Sequence, residues 1–171
     1  GCGLLLQKPD AFFHAIAEEN GWKLSKKYGV GMIFLSQDPV LAQAAREVLN
    51  EELEKETLSV VGWREVPVDH SVLGELALTG VPQIEQVFVN APAGWRKRDL
   101  ERRLYMIRRR AEKRLEKDPD FYVACLSGLV TIYKGLVMPK DLPAFYHDLA
   151  DERMQSAICV FHQRFSTNTL P

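Results

Sequence analysis

The chain has 171 residues, 46% of them hydrophobic, and a formal net charge of −1. That length and balance describe one ordinary globular domain able to bury a core, which excludes a disordered chain or a polyelectrolyte. No apolar run approaches the ~20 residues that span a bilayer, and no charged stretch followed by an apolar one marks a secretory leader, so a cytoplasmic, non-membrane protein is expected. Cys2, Cys125 and Cys159 show no metal-ligand spacing, and their odd number suits a reducing compartment. Cys125 and Cys159 fall in apolar runs and are expected as inert core thiols.

Residues 1–7 form a short apolar run that needs strand neighbours and has none upstream, so it reads as a beginning cut from a longer chain. Pro9-Asp10 opens a helix over 11–19 with Phe12, Phe13 and Ile16 on its apolar side and Asn20-Gly21 as its C-cap. His14 on this helix has no carboxylate or thiol partner in sight and reads as a surface or packing residue. Residues 28–35 predict a buried strand. Its Gly29-Val30-Gly31 is not a dinucleotide fingerprint, because the third glycine is missing and the glycines enter the strand instead of following it. They are read as easing close backbone packing.

From Pro39, the positions Val40, Leu41, Ala44, Ala45, Val48, Leu49 and Leu53 recur with helical period, which places Glu51, Glu52, Glu54 and Glu56 on the solvent side. A strand over 58–67 stops at proline, and Asp69 can cap a short helix through Leu76. Arg64, Asp69 and His70 invite an acid–base reading, but nothing brings a nucleophile near them and they are read as structural. Residues 83–90 alternate as a further strand.

Residues 96–117 carry eleven Lys or Arg against four acidic side chains. Nucleic acid is the sharp hypothesis. However, Leu100, Leu104, Ile107, Ala111 and Leu115 lie on one helical stripe, so the segment is an amphipathic helix with a solvated basic side, and no aromatic stacking platform accompanies it. No nucleic-acid partner is therefore expected. Runs at 121–127 and 130–135 flank Ser127-Gly128 as a hairpin, 142–149 reads as helical, and 156–161 reads as a buried strand. Strands in runs with helices between them, and no internal repeat, describe an α+β chain or a layered αββα sandwich.

After that last strand comes His162-Gln163-Arg164-Phe165-Ser166-Thr167-Asn168-Thr169. An arginine fork at a strand end can pair bidentately with a carboxylate, and the hydroxyls and amide that follow can orient an amino acid. The plain alternative is a polar turn with one surface arginine.

The stretch resembles the His-x-Arg-Phe-Ser-Thr-Asn-Thr segment in the glutaminase domain of glutamate synthase large subunits. Residues 1–13 are similar to that family's Gly-Asp-Gly-x-Gly-Ile-Leu-x-Gln-x-Pro-x-x-Phe-Phe segment. Residues 28–32, 62–69, 86–89 and 121–123, the last followed by 133–136, fit it in the same order. The resemblance implies the N-terminal-nucleophile αββα sandwich of class II glutamine amidotransferases, here incomplete. It implies a reaction in which an N-terminal cysteine thiolate attacks the glutamine side-chain amide, releasing ammonia through a γ-glutamyl thioester that water then hydrolyses.

By motif position, Arg164 is assigned to the glutamine α-carboxylate, Thr167 to the next contact, and Ser166 and Asn168 to the pocket lining. Cys2 mimics the family's catalytic Cys-Gly start but aligns with a variable position of the later block, so no catalytic residue is assigned. Residues 1–171 are expected to be a partial domain without the nucleophile segment upstream or the Asn-Gly oxyanion segment downstream, inactive alone. The parent enzyme makes glutamate from glutamine and 2-oxoglutarate in nitrogen assimilation. Its FMN and iron-sulfur cluster would lie in a missing oxidoreductase domain, and its partners would be the rest of the large subunit and a small subunit. The alternative is a non-catalytic interaction module, and open strand edges give self-association as a further expectation.

Overall fold

The computed structural model describes residues 1–164. Seven strands form among them: β1 (Cys2–Gln7), β2 (Tyr28–Leu35), β3 (Ser59–Glu65), β4 (Gln83–Asn90), β5 (Tyr122–Ser127), β6 (Val130–Gly135) and β7 (Cys159–His162). Between them lie helices α1 (Asp10–Glu19), α2 (Pro39–Lys55), α3 (Glu75–Leu78), α4 (Lys97–Arg114) and α5 (Leu142–Phe145). The strands make two antiparallel sheets, one ordered β3-β4-β2-β5 and the other β6-β1-β7. This is the α+β sandwich that the resemblance implies.

Alternation along β2 explains the layers. Ile33 and Leu35 point to one face and join Ala45, Leu49 and Leu53 of α2 with Leu104, Ile107 and Ala111 of α4 in an outer core. Gly29 and Gly31 lie on that same face. A Cβ at Gly29 would press on Leu104 and one at Gly31 would overlap Val87, so both glycines serve close packing. Met32, on the other face, enters the core between the sheets with Cys2, Cys125, Tyr133 and Tyr146. Tyr28 and Val30 share that inner face and receive Phe12, Phe13 and Ile16, so α1 packs on the inner face of the four-stranded sheet.

Local signals set the helix ends. Asp38 caps α2 by accepting from the Val40 amide at 2.8 Å, with Pro39 at the first helical position. Asn20 ends α1 and Gly21 follows at φ 69°.

Four expectations are corrected. The runs on either side of Ser127-Gly128 are not a hairpin: β5 joins the four-stranded sheet and β6 the three-stranded one, so the turn is a corner between layers. Glu101 holds that corner, accepting from Ser127 Oγ at 2.7 Å and from the Gly128 amide at 2.5 Å. On α2, Ala42 is buried while Val40, Leu41 and Ala44 are exposed, and Glu52 is buried instead of solvated. Lys55 on the same helix and Arg110 and Arg114 on α4 supply what water would. Residues 142–149 form a four-residue helix and a separate 3-10 turn, broken at Tyr146, whose extended backbone bridges to Val68. The run at 156–161 is no buried strand; β7 begins at Cys159, lies at a sheet edge and is exposed throughout, its thiol included. An apolar run records the wish for a cover and not its presence.

Candidate functional site

Arg164 leaves the end of β7. Strand β1 is the centre of its sheet, with Gly3 opposite Lys134 on one side and His162 on the other. The same register sets Cys2 opposite Gly135 and carries the chain after His162 towards the start of β1. Gly3 is what lets β7 approach with this residue. A Cβ there would overlap His162 Nε2. The imidazole lies across the glycine, and its Nδ1 is 3.1 Å from the Arg164 carbonyl oxygen. A carbonyl only accepts, so Nδ1 carries the proton in that bond. The backbone at Arg164 is thereby tied to the strand while the residue stays exposed. Ser166, Thr167 and Asn168 lie outside the described residues.

Cys2 sits differently. It is 1% exposed, packed among Tyr133, Tyr146 and Met32, and burial pushes its thiol up. A nucleophilic thiol needs the opposite: exposure and a stabilised thiolate. Cys125 is likewise buried, and burial, followed by the Glu101 charge, pushes its thiol up to about 12. Among the described residues, no three or more His, Cys, Asp and Glu side chains are grouped to hold a metal ion. No described helix is long and apolar enough to cross a membrane.

A cleft of about 550 Å³ opens near the Gly135 end of β6, walled by Phe34, Leu73, Val81, Tyr122, Lys134 and Phe145 among others. Its lining is mainly apolar. Lys134 Nζ donates to Tyr122 Oη at 2.8 Å and lies 4.7 Å above the ring of that residue. Arg164 is not among the described residues that line this cleft, which opens at the same end of the three-stranded sheet.

Three arginines of the basic helix pair with the acidic end of α2. Arg110 and Arg114 both donate to Glu52, at 2.9 and 2.8 Å, and reach on to Glu56 and Glu51 at 2.6 Å each; Arg103 also pairs with Glu56. Arg108 and Arg109 are held by Glu112 on their own helix, both at 2.7 Å. Burial pushes Glu52 up, but hydrogen bonds from Lys55, Arg114 and Arg110 outweigh it and leave its carboxyl below the usual range. Glu51, Glu52 and Glu56 with Arg103, Arg110 and Arg114 thus form one interhelical ionic network.

Arg64, Asp69 and His70 are not brought together as an acid–base group. Asp69 accepts from the Ser71 amide at 2.8 Å, the His70 ring faces Phe145 at 6.4 Å, and Arg64 turns inward to Asp148 at 2.6 Å. Asp148 escaped the sequence reading. Its partner is 84 residues away, and no local spacing reports such a pair.

A family model described as glutamine amidotransferases class-II matches residues 1–171. The chain is 41% identical to the glutamate synthase (NADPH) large chain of Bacillus subtilis, with all of this chain aligned and 11% of that protein covered. It is 39% identical to ferredoxin-dependent glutamate synthase 1 of Arabidopsis thaliana, again over 100% of this chain and 11% of the relative. The glutamate synthase (NADPH) large chain of Azospirillum brasilense shows 38% identity, with 12% of its length covered. The chain therefore spans only about a tenth of the length of these relatives. With a model match along its whole length, this chain belongs to the class-II glutamine amidotransferases.

Proposed function

We propose that the chain is part of the glutamine-hydrolysing unit of a glutamate synthase large chain, in which Arg164 binds the substrate α-carboxylate. The observation that carries this reading is the guanidinium at the exit of β7, exposed while its own backbone is tied down through His162 and Gly3. A planar fork in that position suits two parallel hydrogen bonds to a carboxylate. Ser166, Thr167 and Asn168 would complete the pocket.

The nucleophile in this reading is a cysteine outside residues 1–171, whose thiolate adds to the δ-carbonyl carbon of glutamine. The C–N bond breaks, the nitrogen takes a proton and leaves as ammonia, and water then cleaves the thioester to glutamate and free thiol. Cys2 is no part of this chemistry, a reading supported by its burial. Residues 1–171 would be a partial domain, inactive alone, with the oxyanion donors supplied by sequence that follows. FMN and an iron-sulfur cluster would belong to another domain of the full protein. The reduced, free thiols fit a cytoplasmic location, and the rest of the large chain and a small subunit are the expected partners.

The test is steady-state glutaminase kinetics on the full-length protein that contains this chain. Arg164→Lys removes the fork but keeps the charge, and is expected to lower kcat/KM for glutamine about a hundred-fold, mostly through KM. An unchanged KM would refute the assignment. The alternative, a non-catalytic interaction module, requires that the full-length protein release no ammonia from glutamine at all. Loss of that activity in Cys2→Ala, with the fold intact, would overturn the reading of Cys2.

A further inference from the structure

The core between the two sheets is mainly apolar, yet a buried polar network crosses it. Arg64 on β3 and Gln86 on β4 are directly opposed in the ladder, so both present side chains on the face that meets the other sheet. Gln86 Nε2 donates to Tyr133 Oη on β6 at 3.3 Å, and Tyr133 Oη donates to Asp148 Oδ2 at 2.9 Å. Arg64 Nη2 closes the circuit onto Asp148 Oδ1 at 2.6 Å. The Arg64 and Asp148 side chains are only 9% and 3% exposed, while Gln86 and Tyr133 are fully buried. Burial, then the neighbouring Asp148 charge, pushes the Tyr133 hydroxyl well above its ordinary value, so it stays a donor.

This is a costly arrangement if stability is its only purpose. Apolar side chains of similar volume commonly serve a core as well as a buried ion pair does. Here, moreover, Arg64 Nη1 and Gln86 Oε1 are buried without a hydrogen-bond partner among the described residues. What the network adds is direction. Apolar contact between two sheets falls off with area and tolerates a small slide, whereas a charged pair in a low-dielectric interior holds only in one alignment.

That alignment leads to Arg164 by two cross-strand rows. Tyr133 is opposite Leu4, which is opposite Phe161; Lys134 is opposite Gly3, which is opposite His162. The rows end on the last two residues of β7. The segment that carries Asp148 is fastened to β6 and to the stretch that follows β3 as well. Tyr146 Oη donates to the Lys134 carbonyl at 2.7 Å, the His147 amide to the Pro67 carbonyl at 3.1 Å, and the Asp69 amide to the Phe145 carbonyl at 2.9 Å.

We propose that the Arg64–Asp148–Tyr133–Gln86 network fixes the alignment of the three-stranded sheet on the four-stranded one, making Arg64 and Asp148 positioning residues for glutamine. The proposal rests on the glutamine reading of Arg164. None of the four residues touches substrate; they act through β1 and β7.

Glutaminase kinetics on the full-length protein test it, with Asp148→Asn, Tyr133→Phe and Arg164→Lys measured side by side and folding followed by circular dichroism. Asp148→Asn is expected to raise KM for glutamine about ten-fold with kcat changed less, as misplacement of a binding group does. Tyr133→Phe, which removes one hydroxyl, is expected to raise it about three-fold. Asp148→Glu is expected to recover part of the loss. If Asp148→Asn does not fold, Tyr133→Phe decides: a raised KM supports the proposal and an unmoved one overturns it. Lower melting temperatures with unchanged KM in both variants would leave the network a stability device only. Should Arg164→Lys itself leave KM unmoved, the glutamine reading fails; should it raise KM while the network variants do not, only the alignment proposal fails.

Discussion

Two of the buried carboxylates among the described residues, Glu52 and Asp148, are held in different ways. Glu52, on the outer helical layer, is 2% exposed and meets Lys55, Arg110 and Arg114, each of the two arginines also reaching a second acid. Asp148, between the sheets, has one arginine and one tyrosine, and part of that arginine is left unpaired. The first site is redundant and its cations reach solvent; the second has a single solution. Redundancy gives tolerance, whereas a lone buried pair gives position, because any displacement leaves a charge uncompensated in a medium that cannot hydrate it.

The largest expected effect breaks the second site. Asp148→Ala strands Arg64 in the interior and is expected to cost about 3–5 kcal/mol in urea or thermal unfolding. Glu52→Gln should cost less, about 1–2 kcal/mol, because Arg110 and Arg114 can rehydrate or turn to Glu56 and Glu51. If Glu52→Gln proved the more damaging of the two, the contrast between tolerance and position would collapse.

Acid unfolding sharpens the same contrast. Glu52 lies below its ordinary 4.5, burial being outweighed by the bonds from Lys55, Arg114 and Arg110; Glu56 is lowered chiefly by its bond from Arg110. A carboxylate depressed in the folded state stabilises above its unfolded value, and that contribution disappears as pH falls through the folded value. Stability should therefore drop as pH falls from about 5 towards 3, and Glu52→Gln combined with Glu56→Gln should flatten that limb of a melting-temperature profile. An unaltered acid limb would mean the helical network contributes little in solution.

Thiol labelling probes the two sheets with the smallest perturbation. Cys159 on the exposed edge strand should react with a disulfide reagent at neutral pH in the native protein. Cys2 and Cys125, buried and with thiols pushed up, should react only on unfolding. Rapid reaction of Cys2 would show that the sheet interface opens and that the network does not hold it.

Much of the fold was legible in the sequence where one element decides its own form. Residues 28–35, read as a buried run, and 83–90, read from alternation, are strands with those bounds. The helix read from Pro39 starts there, where the structure adds a capping bond from Val40 to Asp38. Leu100, Leu104, Ile107 and Ala111 are buried along α4 as their period requires. The family likeness was legible for the same reason, since the blocks that carry it are continuous stretches.

What the sequence by itself determined, then, is periodicity, caps, turns and a family likeness carried by contiguous residues, all of which depend on neighbours within a few positions. Tertiary structure alone decided which sheet each of β5 and β6 would join, that Glu52 would be buried under the arginines of α4, and that Arg64 would find Asp148. Those outcomes depend on the low dielectric and the hydrogen-bond partners available at each place. Such an environment exists only after residues distant in the chain have come together.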